Sequence, residues 1–349
     1  MGYYKRSVGD VALFTLITLL FLLASTSIIF AQSPQITIRA AHFPNITHAQ
    51  AVIAHANGAY QKALGNAAKI DWKIFNAGSP VIEAIFAGHL DIAYIGPNPA
   101  ITGYVRSQGK ALRIVAGAMS GGASLIVRAD SGIQKPADLR GKRVATPQLG
   151  NTQDVALRAW LLSHGMKSWE RGGEVRVLPI ANADQLTLFA RKELDAAWAP
   201  EPWASRLMRE ANGRLFLDER TLWPDGKFVT TVVIVRTDFL RQHPELIKKW
   251  VRAHVEMTEW INTNLAEAKR VLNLELQKET TKALPQALLD ESFSRLEPTV
   301  DPLRVSLFKS AKSAFDLGFL GRQQIDLSKL YDLGILNEVR KERGAVGYD

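Results

Sequence analysis

Glycines and small polar residues recur together at a series of points in this sequence, each just after one apolar run and just before the next. Asn45, Thr47 and His48 lie in the segment His42–His48, Gly78 and Ser79 in Asn76–Pro80, and Gly96 and Asn98 in Tyr94–Pro99. Ser120 and Gly121 precede Gly122, Asn151 and Thr152 close the segment Thr146–Thr152, and Glu201 and Trp203 fall in Ala199–Trp203. The chemistry these types share is neutral hydrogen-bond donation. A helix start offers unpaired backbone N–H groups and the positive end of the helix dipole. Glycines let such amides approach a ligand closely. Several donors of this kind around one oxyanion can bind it without a buried lysine. Each residue also has a plainer use: Ser79 and Thr152 suit helix caps, and the glycines suit turns.

Other candidates carry less. His42 and His48 are six apart in a loop, whereas a helical metal pair stands four apart, so no metal is expected there. Phe43, Trp198 and Trp203 could pack an organic tail, although Trp198 suits a core equally well. Glu201 is at odds with its neighbours, because a bare carboxylate repels an anion. Either it turns away into hydrogen bonds of its own, or the ligand also carries a donor. With no cysteine in 349 residues, disulfides, thiolate nucleophiles and cysteine-based metal centres are excluded. No Gly-x-Ser-x-Gly elbow, phosphate-binding loop or His-Glu-x-x-His motif occurs, no catalytic residue stands out, and no cofactor is implied.

The elements that must position these loops alternate. Residues 35–41, 70–75, 91–95 and 112–117 read as strands, with helices over 47–64, 79–87 and 99–107 between them. The pattern repeats with strands at 142–146, 174–180 and 195–199 and helices at 152–164 and 184–190. Such alternation predicts parallel sheets with helices on both faces. Ala84–Tyr94 resembles Leu188–Trp198, each a helix end running through Leu-Asp into a short strand. Ser124–Asp130 resembles Val232–Asp238, both β-rich and ending Arg-x-Asp; they are read as paired strands joining two lobes. The expected organisation is a leader at 1–31, a first lobe at 32–130, a second at 131–230, and a return with C-terminal helices at 231–349. Lys5 and Arg6, then an apolar run from Val11 and small residues up to Ala31, follow the order of a secretory signal; an uncleaved anchor is the alternative. Net charge is +9, with Lys and Arg scattered, which argues against nucleic acid and favours anionic solutes.

Taken in order, these loops resemble those of the periplasmic binding proteins for alkanesulfonates, taurine and nitrate, over nearly the whole chain from about Ile36. The resemblance implies a two-lobed α/β fold of the type II periplasmic-binding class, with the ligand in a cleft between lobes joined by two crossover strands. It also implies an exported monomer that captures a small anionic solute, such as an aliphatic sulfonate, for an ABC permease and its ATPase. Presentation of ligand to a membrane sensor is an alternative. A thiamine-pyrimidine enzyme family shares the fold, but its cysteine-rich motif is impossible here. Members often carry Trp-Asp-Pro where this chain has Pro200-Glu201-Pro202, and Thr-Gly-Asp near Ile95–Asn98, which leaves the anion's identity open.

Overall fold

Ile36 to His42, buried more fully toward the C-terminal end, form β1, which pairs in parallel with β2 (Ala68–Ile74) from Ile36 opposite Ala68 to His42 opposite Ile74. The computed structural model describes residues 1–3, 35–321 and 326–348. The chain divides into two units, Met1–Gln35 and Ile36–Asp349. Beyond Met1–Tyr3, the expected leader lies outside the described residues, and everything below concerns the second unit.

Between β1 and β2 the anticipated single helix is two, α1 (Ala49–Asn57) and α2 (Ala59–Leu64). Gly58 separates them with a left-handed φ of 67°, a conformation that ends a helix. There follow α3 (Gly78–Phe86), β3 (Ile92–Ile95), α4 (Pro97–Arg106) and the long β4 (Leu112–Gly121). A second series runs β5 (Ala123–Arg128), β6 (Arg143–Thr146), α5 (Thr152–Ser163), β7 (Arg176–Pro179), α6 (Asn182–Ala190), β8 (Ala196–Pro200), α7 (Trp203–Glu210) and β9 (Gly213–Asp218). The chain then returns through β10 (Val229–Arg236), α8 (Thr237–Gln242), α9 (Pro244–Thr263), α10 (Leu265–Thr280), α11 (Gln286–Phe293), β11 (Leu296–Pro298), α12 (Arg304–Asp316) and α13 (Gly334–Glu342).

Two sheets result, ordered β11-β4-β10-β3-β1-β2 and β7-β6-β8-β5-β9. Both are mixed where parallel sheets were expected. β2-β1-β3 and β7-β6-β8 are parallel, while β10 runs antiparallel to β3 and β4, and β5 antiparallel to β8 and β9. Apolar runs such as Val232–Val235 carry no mark of direction, so pairing sense was not readable from them. Nor do Ser124–Asp130 and Val232–Asp238 pair with each other. They are equivalent strands, β5 in one sheet and β10 in the other. The crossings between sheets are Gly121–Gly122, with φ of 74° and 78°, and residues 219–228.

The equivalence has a chemical signature. Arg39 on β1 donates from its backbone N (3.0 Å) and Nε (2.8 Å) to Asp91 Oδ2 just before β3. Arg143 on β6 does the same to Asp195 Oδ2 just before β8, at 2.9 and 3.1 Å. Both pairs stand 52 residues apart. The antiparallel strand beside β3 or β8 adds a second arginine to each: Arg236 of β10 reaches Asp91 at 2.9 Å, and Arg128 of β5 lies 3.5 Å from Asp195. Burial alone would raise both carboxyls, but these hydrogen bonds and charges outweigh it and hold them below their ordinary values. This clasp explains both internal likenesses in the sequence.

Alternation along β5 buries the second sheet on both faces. Leu125 and Val127 pack with Trp160 and Trp198, while Ile126 packs with Ala145, Phe189 and Leu207 on the other side. One larger core around Ile38, Ile92, Ile234 and Trp250 takes in the first sheet and the C-terminal helices. Val155 of α5 packs on Ala314 and Leu317 at the end of α12, a contact between the two halves.

Candidate functional site

Each parallel strand ends in a loop that reaches the same cleft. There the loops enclose a cavity of about 40 Å³, room for a few heavy atoms. Phe43, Asn45, Thr47 and His48 come from the loop after β1, Asn76–Gly78 from that after β2, and Gly96 and Pro99 from that after β3. The opposite wall is Pro147, Gln148 and Asn151–Gln153 after β6, Asn182 after β7, and Pro200 at the end of β8, with Thr230 from β10. Four helices begin at this point: α3, α4, α5 and α6, each nine to twelve residues long. Two belong to each sheet, so positive dipole ends converge from both sides.

No Asp, Glu, Lys or Arg lines the cavity among the described residues. His48 is its one titratable side chain. Burial, reinforced by His42, holds its pKa well below the ordinary value, so the ring is neutral. Its Nδ1 accepts from the Phe43 N–H at 3.2 Å, which places the proton on Nε2 as a donor. The Phe43 ring stacks on it at 4.6 Å. Asn45 Oδ1 accepts from Trp203 Nε1 at 2.9 Å, which fixes the amide with its NH₂ free to donate. Asn151 caps α5 by accepting from the Asp154 N–H at 2.9 Å. Thr152 Oγ1 and Asn182 Oδ1 are buried without a hydrogen-bond partner, the two unsatisfied side-chain atoms on this wall.

The two walls touch. A Cβ placed on Gly96 would stand 2.5 Å from Thr152 Oγ1, so only glycine permits this approach. Gln148 Oε1 accepts from the Ser79 N–H across the cleft at 3.2 Å.

Of the residues singled out by sequence, the structure brings Asn45, Thr47, His48, Gly78, Gly96, Asn151 and Thr152 into the cavity wall. The others lie elsewhere. Ser79 is exposed and faces a neighbouring surface pocket. Asn98 is buried, with its Oδ1 accepting from Ser310 at 2.8 Å. Ser120 lines a separate cleft beside Asp218 and Arg220. Gly121 belongs to the crossing, and Trp203 stands behind Asn45.

Glu201 turns away from the cavity into hydrogen bonds of its own. Its carboxylate accepts from Arg295 Nη1 (2.8 Å), Ser292 Oγ (3.0 Å) and the Ser205 N–H (3.1 Å). Burial pushes this carboxyl up, against the pull of Arg295. Trp198 is core, donating to Glu219 at 2.8 Å. The sequence reading missed Gln148, Gln153, Asn182 and Thr230. The first two flank Asn151, and Asn182 opens a helix after a strand, so the loop-then-helix signal extended to them.

A family model described as NMT1-like matches residues 31–274. The taurine-binding periplasmic protein of Escherichia coli is 25% identical over 236 residues, covering 67% of this chain and 69% of that protein. The alkanesulfonate-binding protein SsuA of Xanthomonas axonopodis pv. citri, bound to MOPS, superposes with a TM-score of 0.67 at 20% identity, covering 82% of this chain and 93% of that one. The nitrate-binding protein NrtA of Synechocystis PCC 6803 gives 0.75 at 16%, covering 88% and 89%. The chain therefore belongs to the NMT1-like family and has the two-lobed α/β fold of these periplasmic binding proteins.

Proposed function

We propose that the chain is the substrate-binding component of an ABC importer, working outside the cytoplasm as a monomer. It captures a small organic anion, an aliphatic sulfonate or similar oxyanion, and presents it to a membrane permease with its ATPase. The observation that carries this reading is a cavity free of charged side chains, into which four helix starts point from two facing walls. Such a site stabilises negative charge through fixed dipoles and neutral donors. Its volume suits an oxyanion head group. The taurine-binding relative supports the same class of solute. Among the described residues, no Asp or Glu lines this wall beside the hydroxyls of Thr47, Thr152 and Thr230, and the Nδ1 of His48 is occupied.

The test is a thermal-shift screen of sulfonates, sulfate esters, nitrate, bicarbonate and phosphonates, with the bound compound recovered and identified. A true ligand at a hundred times its dissociation constant stabilises by about 2.7 kcal/mol and is recovered unchanged. Stabilisation by neutral or cationic solutes alone, or turnover of the bound compound, overturns the proposal.

A further inference from the structure

We propose a second site: His42, His55 and Glu279 form a binding site for a divalent transition-metal ion of the zinc class, separate from the anion cavity. The proposal does not rest on the anion reading. The three residues come from distant parts of the chain. His42 ends β1, His55 lies in the last turn of α1, and Glu279 is near the end of α10. Their donor atoms all lie within 4.8 Å of one another. His42 Nε2 and His55 Nδ1 each stand 3.2 Å from the same carboxylate oxygen, Glu279 Oε1. A tetrahedral zinc with bonds of about 2.0–2.1 Å holds its ligand atoms roughly 3.3 Å apart, which the two histidine–carboxylate spacings match.

The protonation pattern points the same way. His42 Nδ1 lies 3.2 Å from the Phe43 carbonyl oxygen, which fixes its proton on that nitrogen. Its Nε2 then faces the Glu279 carboxylate at 3.2 Å, an arrangement that a proton or a metal cation between the two satisfies. Both groups are enclosed: the His42 side chain is 0% exposed and that of Glu279 is 2%. His42 Nε2 and Glu279 Oε2 are also buried without a hydrogen-bond partner. A backbone carbonyl on the far nitrogen is the usual arrangement behind a metal-bound imidazole.

His55 is 30% exposed and gives an ion a way in. Glu275, one turn earlier on α10, lies 3.3 Å from His55 Nδ1 and can serve as fourth ligand. Trp72 walls the site, 5.4 Å from the His42 ring and 5.5 Å from that of His55. A bound ion would tie the first strand to the C-terminal helices.

The alternative is that the three atoms share a proton. Metal titration of the chelator-stripped full chain separates the two. Zn²⁺ should bind at one per chain and raise the melting temperature, and Co²⁺ should give the intense visible bands of a tetrahedral complex. His55→Ala, at a partly exposed position, and the isosteric Glu279→Gln should each weaken Zn²⁺ binding at least tenfold. His164→Ala, at an exposed histidine elsewhere, should leave it unchanged. The proposal is overturned by absence of stoichiometric binding, by a faint octahedral cobalt spectrum, by wild-type affinity in both site variants, or by loss of binding in His164→Ala.

Discussion

Thr152→Val should stabilise the empty protein while weakening its grip on the anion. Thr152 is 6% exposed, and its hydroxyl has no hydrogen-bond partner. A buried unsatisfied hydroxyl costs about 1–3 kcal/mol, and valine fills the same space with a methyl group. The helix start is not at risk, because the α5 cap is the Asn151 side chain on the Asp154 N–H. The unliganded protein should therefore gain about 1–2 kcal/mol, seen as a rise in melting temperature on the order of 2 °C. On the proposed reading the same hydroxyl would donate to a charged oxygen of the ligand, worth about 1.5–3 kcal/mol, so the dissociation constant should rise between roughly tenfold and a hundredfold. Differential scanning fluorimetry without ligand and isothermal titration with it read the two effects separately. General damage to the fold would lower the melting temperature and the affinity together. A lower melting temperature in the empty protein, or an unchanged dissociation constant, refutes the reasoning.

Gly96→Ala tests the approach of the two walls. Gly96 has φ −65° and ψ 152°, which any residue adopts, so the added methyl clashes only with Thr152 and lies at ordinary contact distance from Pro99. Ligand affinity should fall at least tenfold, and small-angle scattering with ligand should show a larger radius of gyration than wild type; no change in either would remove this contact from closure. Stability against pH should carry two opposing slopes. Burial depresses His254 to about 4, so its contribution, complete above about 6.5, is lost as pH falls toward 4. Burial raises Glu219 to about 7 despite the bond from Trp198, so its contribution is complete below about 4.5 and lost as pH rises through 7. Glu219→Gln should accordingly raise the melting temperature at pH 8 relative to pH 5, compared with wild type. An equal change at both, measured by scanning calorimetry, contradicts that assignment.

The order of helices and strands was legible because each element carries its own periodicity. Strand pairing was not, because Leu125–Val127 and Val232–Val235 would fit either sheet in either direction. Their shared Arg-x-Asp ending held the answer in another form: Arg128 and Arg236 each meet an aspartate of their own lobe. The cavity was partly legible, since loops before helices must contain residues that tolerate turns and caps. Glu201 was not decidable, because its partner Arg295 lies 94 residues away. The histidine–glutamate cluster left no local trace either, as His55 and Glu279 are separated by 224 positions.

The Arg–Asp clasps have a bearing on how quickly a captured solute leaves. Each clasp is internal to one lobe, so parting the lobes strains neither. What resists parting is a set of contacts between the halves, among them Trp203 to Asn45, Ser79 to Gln148, Arg295 to Glu201, Arg209 to Glu291 and the packing of Val155 on Ala314 and Leu317. For a solute held as proposed above, residence time would depend on those contacts and on the solute itself. A permease that competes for an exposed link such as Ser79 to Gln148 or Arg209 to Glu291 would shorten that residence time without touching the solute, making release a property of docking.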